Sequence, residues 1–153
     1  NDDALRNAPG GIFKLASGWS FPTPASGKNC ACVSIWDNFP TALEFPISGM
    51  AKELVLFIAG STNAMQSFVE NGRISAIYKD KTESICKLIP PINFNDFIVP
   101  AVQQQFESFY WYKGNHGTVV RLKLDNSREL EKCRIEAIAN EAVIMLLGAT
   151  VIR

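Results

Sequence analysis

The strongest constraint on this chain is an alternation of apolar and polar side chains at every second position, repeated in segment after segment. In "TALEFPI", Leu43, Phe45 and Ile47 alternate with Ala42, Glu44 and Pro46. In "TVVRLKLD", Val120, Leu122 and Leu124 alternate with Val119, Arg121 and Lys123, and in "KCRIEA" Cys133, Ile135 and Ala137 alternate with Lys132, Arg134 and Glu136. A period of two sends successive side chains to opposite faces of a pleated strand, so each segment is predicted as a strand with one buried and one wet face. "LVLFI" (54–58) and "VIMLLGATVI" (143–152) are apolar on both sides. They are expected to be central strands buried on both faces, or strands covered by another domain.

Turn signals fall between these runs. Asn71-Gly72 separates "MQSFVE" from "RISAIYK" and predicts a tight hairpin, because type I′ turns need positive φ at both central residues. "KDKT" (79–82), "KGNHG" (113–117) and "ANEA" (139–142) mark further turns, and Pro90-Pro91 ends another strand because proline cannot donate to a ladder. "SRELEKCRIEAIANEA" is rich in helix formers, but the alternation from Lys132 to Ala137 predicts a strand there. About nine or ten short strands and no long helix define an all-β, antiparallel β-sandwich, with a jelly roll as the expected arrangement. Residues 1–10 are expected to be a flexible N-terminal segment and 11–153 a single sandwich domain.

A chain of 153 residues suits one domain that buries roughly 68–70% of its unfolded surface. Lys plus Arg equals Asp plus Glu, 15 of each, and no basic cluster breaks the balance. Nothing therefore draws the chain toward nucleic acid or an anionic membrane. No apolar run approaches the ~20 residues that span a bilayer. The sequence begins "NDDALRNAPGG" without a methionine, and is read as a piece excised from a longer protein.

Chemistry-bearing motifs are sparse. Cys30 and Cys32 form a C-x-C pair on one strand face, expected about 7 Å apart with no ready disulfide. With Cys86 and Cys133 they are weighed as a zinc site against four small buried hydrophobes, and the second reading is preferred because no C-x2-C or histidine partner accompanies them. His116 is the one histidine and is expected as an exposed turn residue. No P-loop, G-x-G-x-x-G or H-E-x-x-H occurs, so no cofactor is expected. Asp37, Asp80 and Asp96 are the carboxylates that glycoside hydrolysis could use, yet nothing in the sequence pairs any two of them.

Aromatic and amide side chains offer the better lead. "FYWY" places Tyr110 and Tyr112 on one strand face and Phe109 and Trp111 on the other. Flat rings beside amides and carboxylates suit a pyranose; the competing use of such rings is packing. "AGSTNAMQS" (59–67) turns abruptly polar after the buried run "LVLFI". Its Ser61, Thr62 and Asn63 can satisfy freed backbone groups locally, or face a ligand.

"FPTPASGKN" (21–29), "SIWDNFP" (34–40), "FPISGMA" (45–51), "AGSTNAMQS" (59–67), "NGRISAIYKD" (71–80) and the closing "LLGATVIR" (146–153) run in that order. The combination resembles the C-terminal β-sandwich region of a bacterial domain-of-unknown-function family of large exported proteins. In that family the sandwich accompanies an (α/α)-barrel region similar to six-hairpin glycoside hydrolases. The resemblance spans about residues 21–153. It departs where Lys81 follows Asp80 in place of a glycine, and where "IPPINFND" lacks a tryptophan.

The resemblance implies a galactose-binding-like jelly roll that acts as a non-catalytic accessory module of a carbohydrate-active protein. That protein would be periplasmic or extracellular, with an N-terminal catalytic-like domain as partner and an oligosaccharide as candidate ligand. Trp36, Asp37, Asn38, Ser61, Thr62, Asn63 and Gln66 are the expected polar patch, with Trp111 and Tyr112 as a stacking pair. The alternative is a purely structural interdomain packing module, whose outer face around "VIMLLGATVI" would be covered by the rest of the protein.

Overall fold

Alternation becomes sheet throughout the chain. The computed structural model describes residues 2–36, 38–98, 106–112 and 114–153, with Ala64 and Tyr112 placed by backbone alone. Eleven strands among them form three antiparallel sheets. One sheet has the order β4 (Ala42–Gly49), β10 (Leu130–Ala137), β6 (Gly72–Tyr78), β7 (Glu83–Leu88). The second has the order β3 (Ala31–Ser34), β11 (Val143–Ile152), β5 (Glu53–Ser61), β9 (Asn115–Lys123), β8 (Ser108–Tyr112). A two-stranded ribbon joins β1 (Ile12–Lys14) to β2 (Ser20–Pro22). The fold is an all-β sandwich.

The main core lies between the two larger sheets. Leu54, Leu56, Ile58, Val120 and Ile144 from one sheet meet Ile74, Ala76, Leu130, Cys133 and Ile135 from the other. β10 forms as its alternation predicts, with Cys133 and Ile135 sealed from solvent and Arg134 and Glu136 turned outward. β4 pairs only with β10, and an edge position is where a strand tolerates Pro46.

β5 is apolar on both faces because both are covered. Its odd residues Val55 and Phe57 point away from the main core into a second cluster with Leu5, Leu15, Phe21, Phe109 and Val119. The cover is the chain's own N-terminal part. The first residues contain the short helix α1 (Asp3–Arg6), whose Leu5 is only 2% exposed. The β1–β2 ribbon adds Phe21, which stacks on Phe57 at 5.0 Å between ring centroids. Gly148 in β11 makes that contact possible: a Cβ there would lie 2.8 Å from Phe21 Cβ.

β11 departs from its expected double burial. Val143 and Ile144 are buried, but Ala149 and Thr150 are exposed. The reason is the length of its neighbour, since β3 pairs only with Val143–Leu146 and leaves the distal half without a strand on that side.

Asn71-Gly72 is not a hairpin. A 3-10 turn (Ala64–Gln66) precedes it, and β6 starts at Gly72. The glycine serves close packing rather than a left-handed turn: a Cβ would strike Ile144 Cδ1 and lie 2.9 Å from the Glu136 carbonyl. The hairpin at 79–82 does form, and Lys81 itself takes φ 69°. β8 and β9 also form a hairpin, across the turn that contains Gly114.

Gly148→Ala is expected to cost roughly 1–3 kcal/mol in urea unfolding, as overpacking against a fixed ring does. In a Phe21→Gly background, which removes that Cβ as well as the ring, the same change should cost much less. Additive effects of the two substitutions would show that Phe21 is not what Gly148 accommodates.

Candidate functional site

The polar cluster after β5 resolves into two uses. Asn71 is completely buried and acts as a hub. Its Oδ1 accepts from Thr62 Oγ1 at 2.6 Å, and its Nδ2 donates to the carbonyls of Gln66 at 2.8 Å and Val69 at 3.0 Å. The Thr62 N–H donates to Asp96 Oδ2 at 2.8 Å, and Asp96 Oδ1 accepts from the Ile98 N–H at 2.9 Å. Thr62, through its hydroxyl and N–H, and Gln66, through its backbone carbonyl, thus help close the end of the sandwich, where backbone groups leaving a buried strand need partners. Asn63 leans the other way. Its Nδ2 donates to Glu141 Oε2 at 2.8 Å, which ties the loop after β5 to the turn before β11.

That turn forms one wall of a groove of about 580 Å³ lined by Ile35, Trp36, Asn38, Asn140 and Glu141. Trp36 leaves half its surface in solvent. The walls are held together by buried Ser34, whose Oγ donates to the Ala142 carbonyl at 2.8 Å and accepts from the Trp36 N–H at 3.3 Å. On the far wall, Asn71 O accepts from the N–H groups of Ile138 and Ala139. The groove therefore presents a flat ring, two amides and one carboxylate on braced backbone.

A second depression lies on the outer face of the five-stranded sheet. Leu5, Trp111, Val143, Met145 and Leu147 form an apolar cleft of about 370 Å³, with Asp2, Asn29, Cys30, Ser61 and Asn115 among its other walls. Trp111 is half-buried and tilts against Phe109 at 6.0 Å between centroids.

The expected patch therefore divides. Trp36 and Asn38 share the groove, and Asn63 reaches it through Glu141. Ser61 and Trp111 belong to the cleft, while Thr62 and Gln66 belong to the Asn71 network. Asp37 lies outside the described residues, as does the side chain of Tyr112, whose backbone is part of β8. Sequence reading missed Asn140 and Glu141, although "ANEA" marked the turn that carries them. Glu141 adopts φ 61°, lines the groove and accepts from Asn63 through its carboxylate.

The four cysteines do not gather. Cys86 sits on β7, Cys133 in the main core, and the Cys30–Cys32 pair at the edge of the other sheet. Among the described residues no group of three metal-binding side chains forms. Of the other carboxylates, Asp80 accepts from Thr82 and pairs with Arg128 at 3.0 Å. No family model, no curated protein and no solved structure matches this chain.

His116 corrects an expectation. It lies within β9, opposite Tyr110, and is fully buried rather than exposed on a turn. Burial holds its pKa below the usual histidine value, opposed by backbone contacts at Gly114 and Phe97 and by the nearby Asp96 carboxylate. The unfolded chain then takes up a proton that the folded chain resists, so stability is fully present above about pH 6.5 and declines as pH falls below it. His116→Gln should flatten this decline when urea midpoints are compared between about pH 7.5 and about pH 5.5. An equal loss in both proteins would assign the acid sensitivity to other groups.

Proposed function

We propose that this chain is a non-catalytic accessory β-sandwich of an exported, carbohydrate-active bacterial protein, and that it makes weak glycan contacts in the Trp36 groove. One observation carries the reading: an exposed indole stands beside Asn38, Asn140 and Glu141 in a single concavity. A flat ring covers the apolar face of a pyranose, while amides and a carboxylate take its hydroxyls. The exposed, shallow geometry suits modest affinity, because little area is buried and hydroxyls exchange water for protein partners.

The strand order supports a jelly-roll origin. If the β8–β9 hairpin is counted as one position, the two sheets read β3-β11-β5-β9 and β4-β10-β6-β7. This is the interleaved order produced when two Greek keys fold over one another. Glu141 is the one carboxylate among the described residues that line the groove, whereas glycoside hydrolysis usually takes two. The motifs from Phe21 to Arg153 that resemble the exported family supply the expected neighbour, an N-terminal catalytic-like domain, and the periplasmic or extracellular location.

A second reading, a structural packing module, draws on a different surface. Met65, Phe68 and Ile92 are 87%, 73% and 57% exposed, and the Phe68 N–H donates to Pro90 O beside Ile92. The face around β11 is a weaker docking candidate, since the N-terminal segment already covers part of it.

Titration of soluble oligosaccharides chosen from a glycan array should give saturable binding that drops at least about tenfold, or ~1.4 kcal/mol, in Trp36→Ala. Trp111→Ala should leave it unchanged. Loss of binding on Trp111→Ala instead would move the ligand to the apolar cleft, and no binding by any glycan would favour the packing module.

A further inference from the structure

The C-x-C pair is arranged differently from a regular strand. Cys30 lies just ahead of β3 and Cys32 within it, and their Sγ atoms approach to 3.7 Å. Cys30 lies outside the strand, so the ~7 Å spacing of same-face side chains in a regular strand does not apply to the pair. Both thiols are half-buried on the sheet's outer side, where Met145 is the cross-strand partner of Cys32 and Cys30 forms part of the cleft wall. Neither Cys86 nor Cys133 has such a neighbour among the described residues.

Two thiols in contact, one of them in the wall of an apolar cleft, make a specific chemistry available. We propose that Cys30 and Cys32 form a redox-active dithiol that exchanges with small disulfides bearing an apolar substituent, the substituent being received by the cleft. Cys30 acts as the nucleophile. Its thiolate attacks one sulfur of the disulfide R–S–S–R, forming a mixed disulfide and releasing one thiolate, which takes a proton from water. Cys32 then loses its proton to solvent and attacks Cys30 Sγ, breaking the mixed disulfide and releasing the second thiolate. The protein pair gives up two electrons and two protons, and the substrate disulfide gains them as two thiols.

Surroundings favour that order of attack. The Cys30 thiol is pulled down to about 7, first by the hydrogen bond from Cys32, against burial and the Asp2 carboxylate and with help from the Arg6 guanidinium. Cys32 is pushed up by the same hydrogen bond and by burial, which keeps it protonated as the donor. A thiol near neutrality balances thiolate fraction against nucleophilicity. Cys30 lies outside the paired part of an edge strand, so closing the gap to a bonded ~2.05 Å breaks no ladder hydrogen bond. A cleft walled by Leu5, Trp111, Val143, Met145 and Leu147 suits an apolar substituent.

The probe is 2,2′-dithiodipyridine, an apolar aromatic disulfide whose released thione absorbs light. Residues 29–52 form a tryptic peptide that contains Cys30 and Cys32 and neither other cysteine. In the intact chain that peptide should lose the mass of two hydrogens and retain no pyridylthio group. Cys32→Ser should trap one pyridylthio group on Cys30. The rate of thione release from this pair should reach half its plateau near pH 7, the value given by the surroundings of Cys30. Two retained pyridylthio groups in the wild-type peptide would show independent thiols and overturn the proposal. So would an unreacted peptide. The wild-type mass measurement decides even if the variant does not fold.

Discussion

Leu54, Val55, Leu56, Phe57 and Ile58 are all withdrawn completely from water, so the strand that carries them needs an apolar layer on each face. A sandwich supplies one such layer by construction. The other has to come from outside the two sheets, and here the first part of the chain provides it, through Leu5, Leu15 and Phe21. Each large side chain fully buried contributes roughly 1.5–3 kcal/mol, so Val55 and Phe57 together reward a cover that an ordinary wet sheet face would not need. The extent of this cover also decides where the cleft lies. Where the cover stops, Met145, Leu147 and Trp111 are left lining an open depression.

The polar end of the same strand follows from its burial. A chain leaving a doubly buried strand must find partners for its backbone groups before it reaches water. Asn71, Thr62 and Asp96 answer that need with side-chain bonds of 2.6 to 3.0 Å. The backbone carbonyl of Asn71 in turn accepts from the N–H groups of Ile138 and Ala139, so the turn bearing Asn140 and Glu141 is held by the same buried residue. Residues that look ligand-facing in the sequence thus brace a groove whose lining comes from elsewhere. Such bracing reduces the ordering cost that a weakly bound ligand would otherwise meet.

Alternation was legible because it is local: two neighbours suffice to assign a face. This is why β4, β10 and the second half of β9 could be read directly, whereas Val119, expected on the wet face of β9, is buried in the second cluster. What could not be read depends on distance along the chain. Gly72 looked like a turn glycine, but its role is set by Ile144, seventy-two residues away in sequence and pressed against its Cα. His116 looked like part of a turn, yet β9 begins at Asn115 and carries it inside. Asn63 meets Glu141, and Trp36 faces Asn140, only because β3 and β5 flank the start of β11. A register of that kind leaves no mark in a short window of sequence.

The two depressions share one structural origin in β11. Its outward residues Val143, Met145 and Leu147 form the cleft floor, while the turn immediately before it forms a groove wall. β3, its neighbour, is four residues long and lies at the sheet's edge. Short edge strands limit pairing with other chains, but they also leave outward side chains with a strand neighbour on one side only. Cys32 and the residue before β3, Cys30, occupy that position, and Trp36 follows the strand at its other end. Cleft and groove thus both border one short edge strand, whose outward side chains have a strand neighbour on one side only.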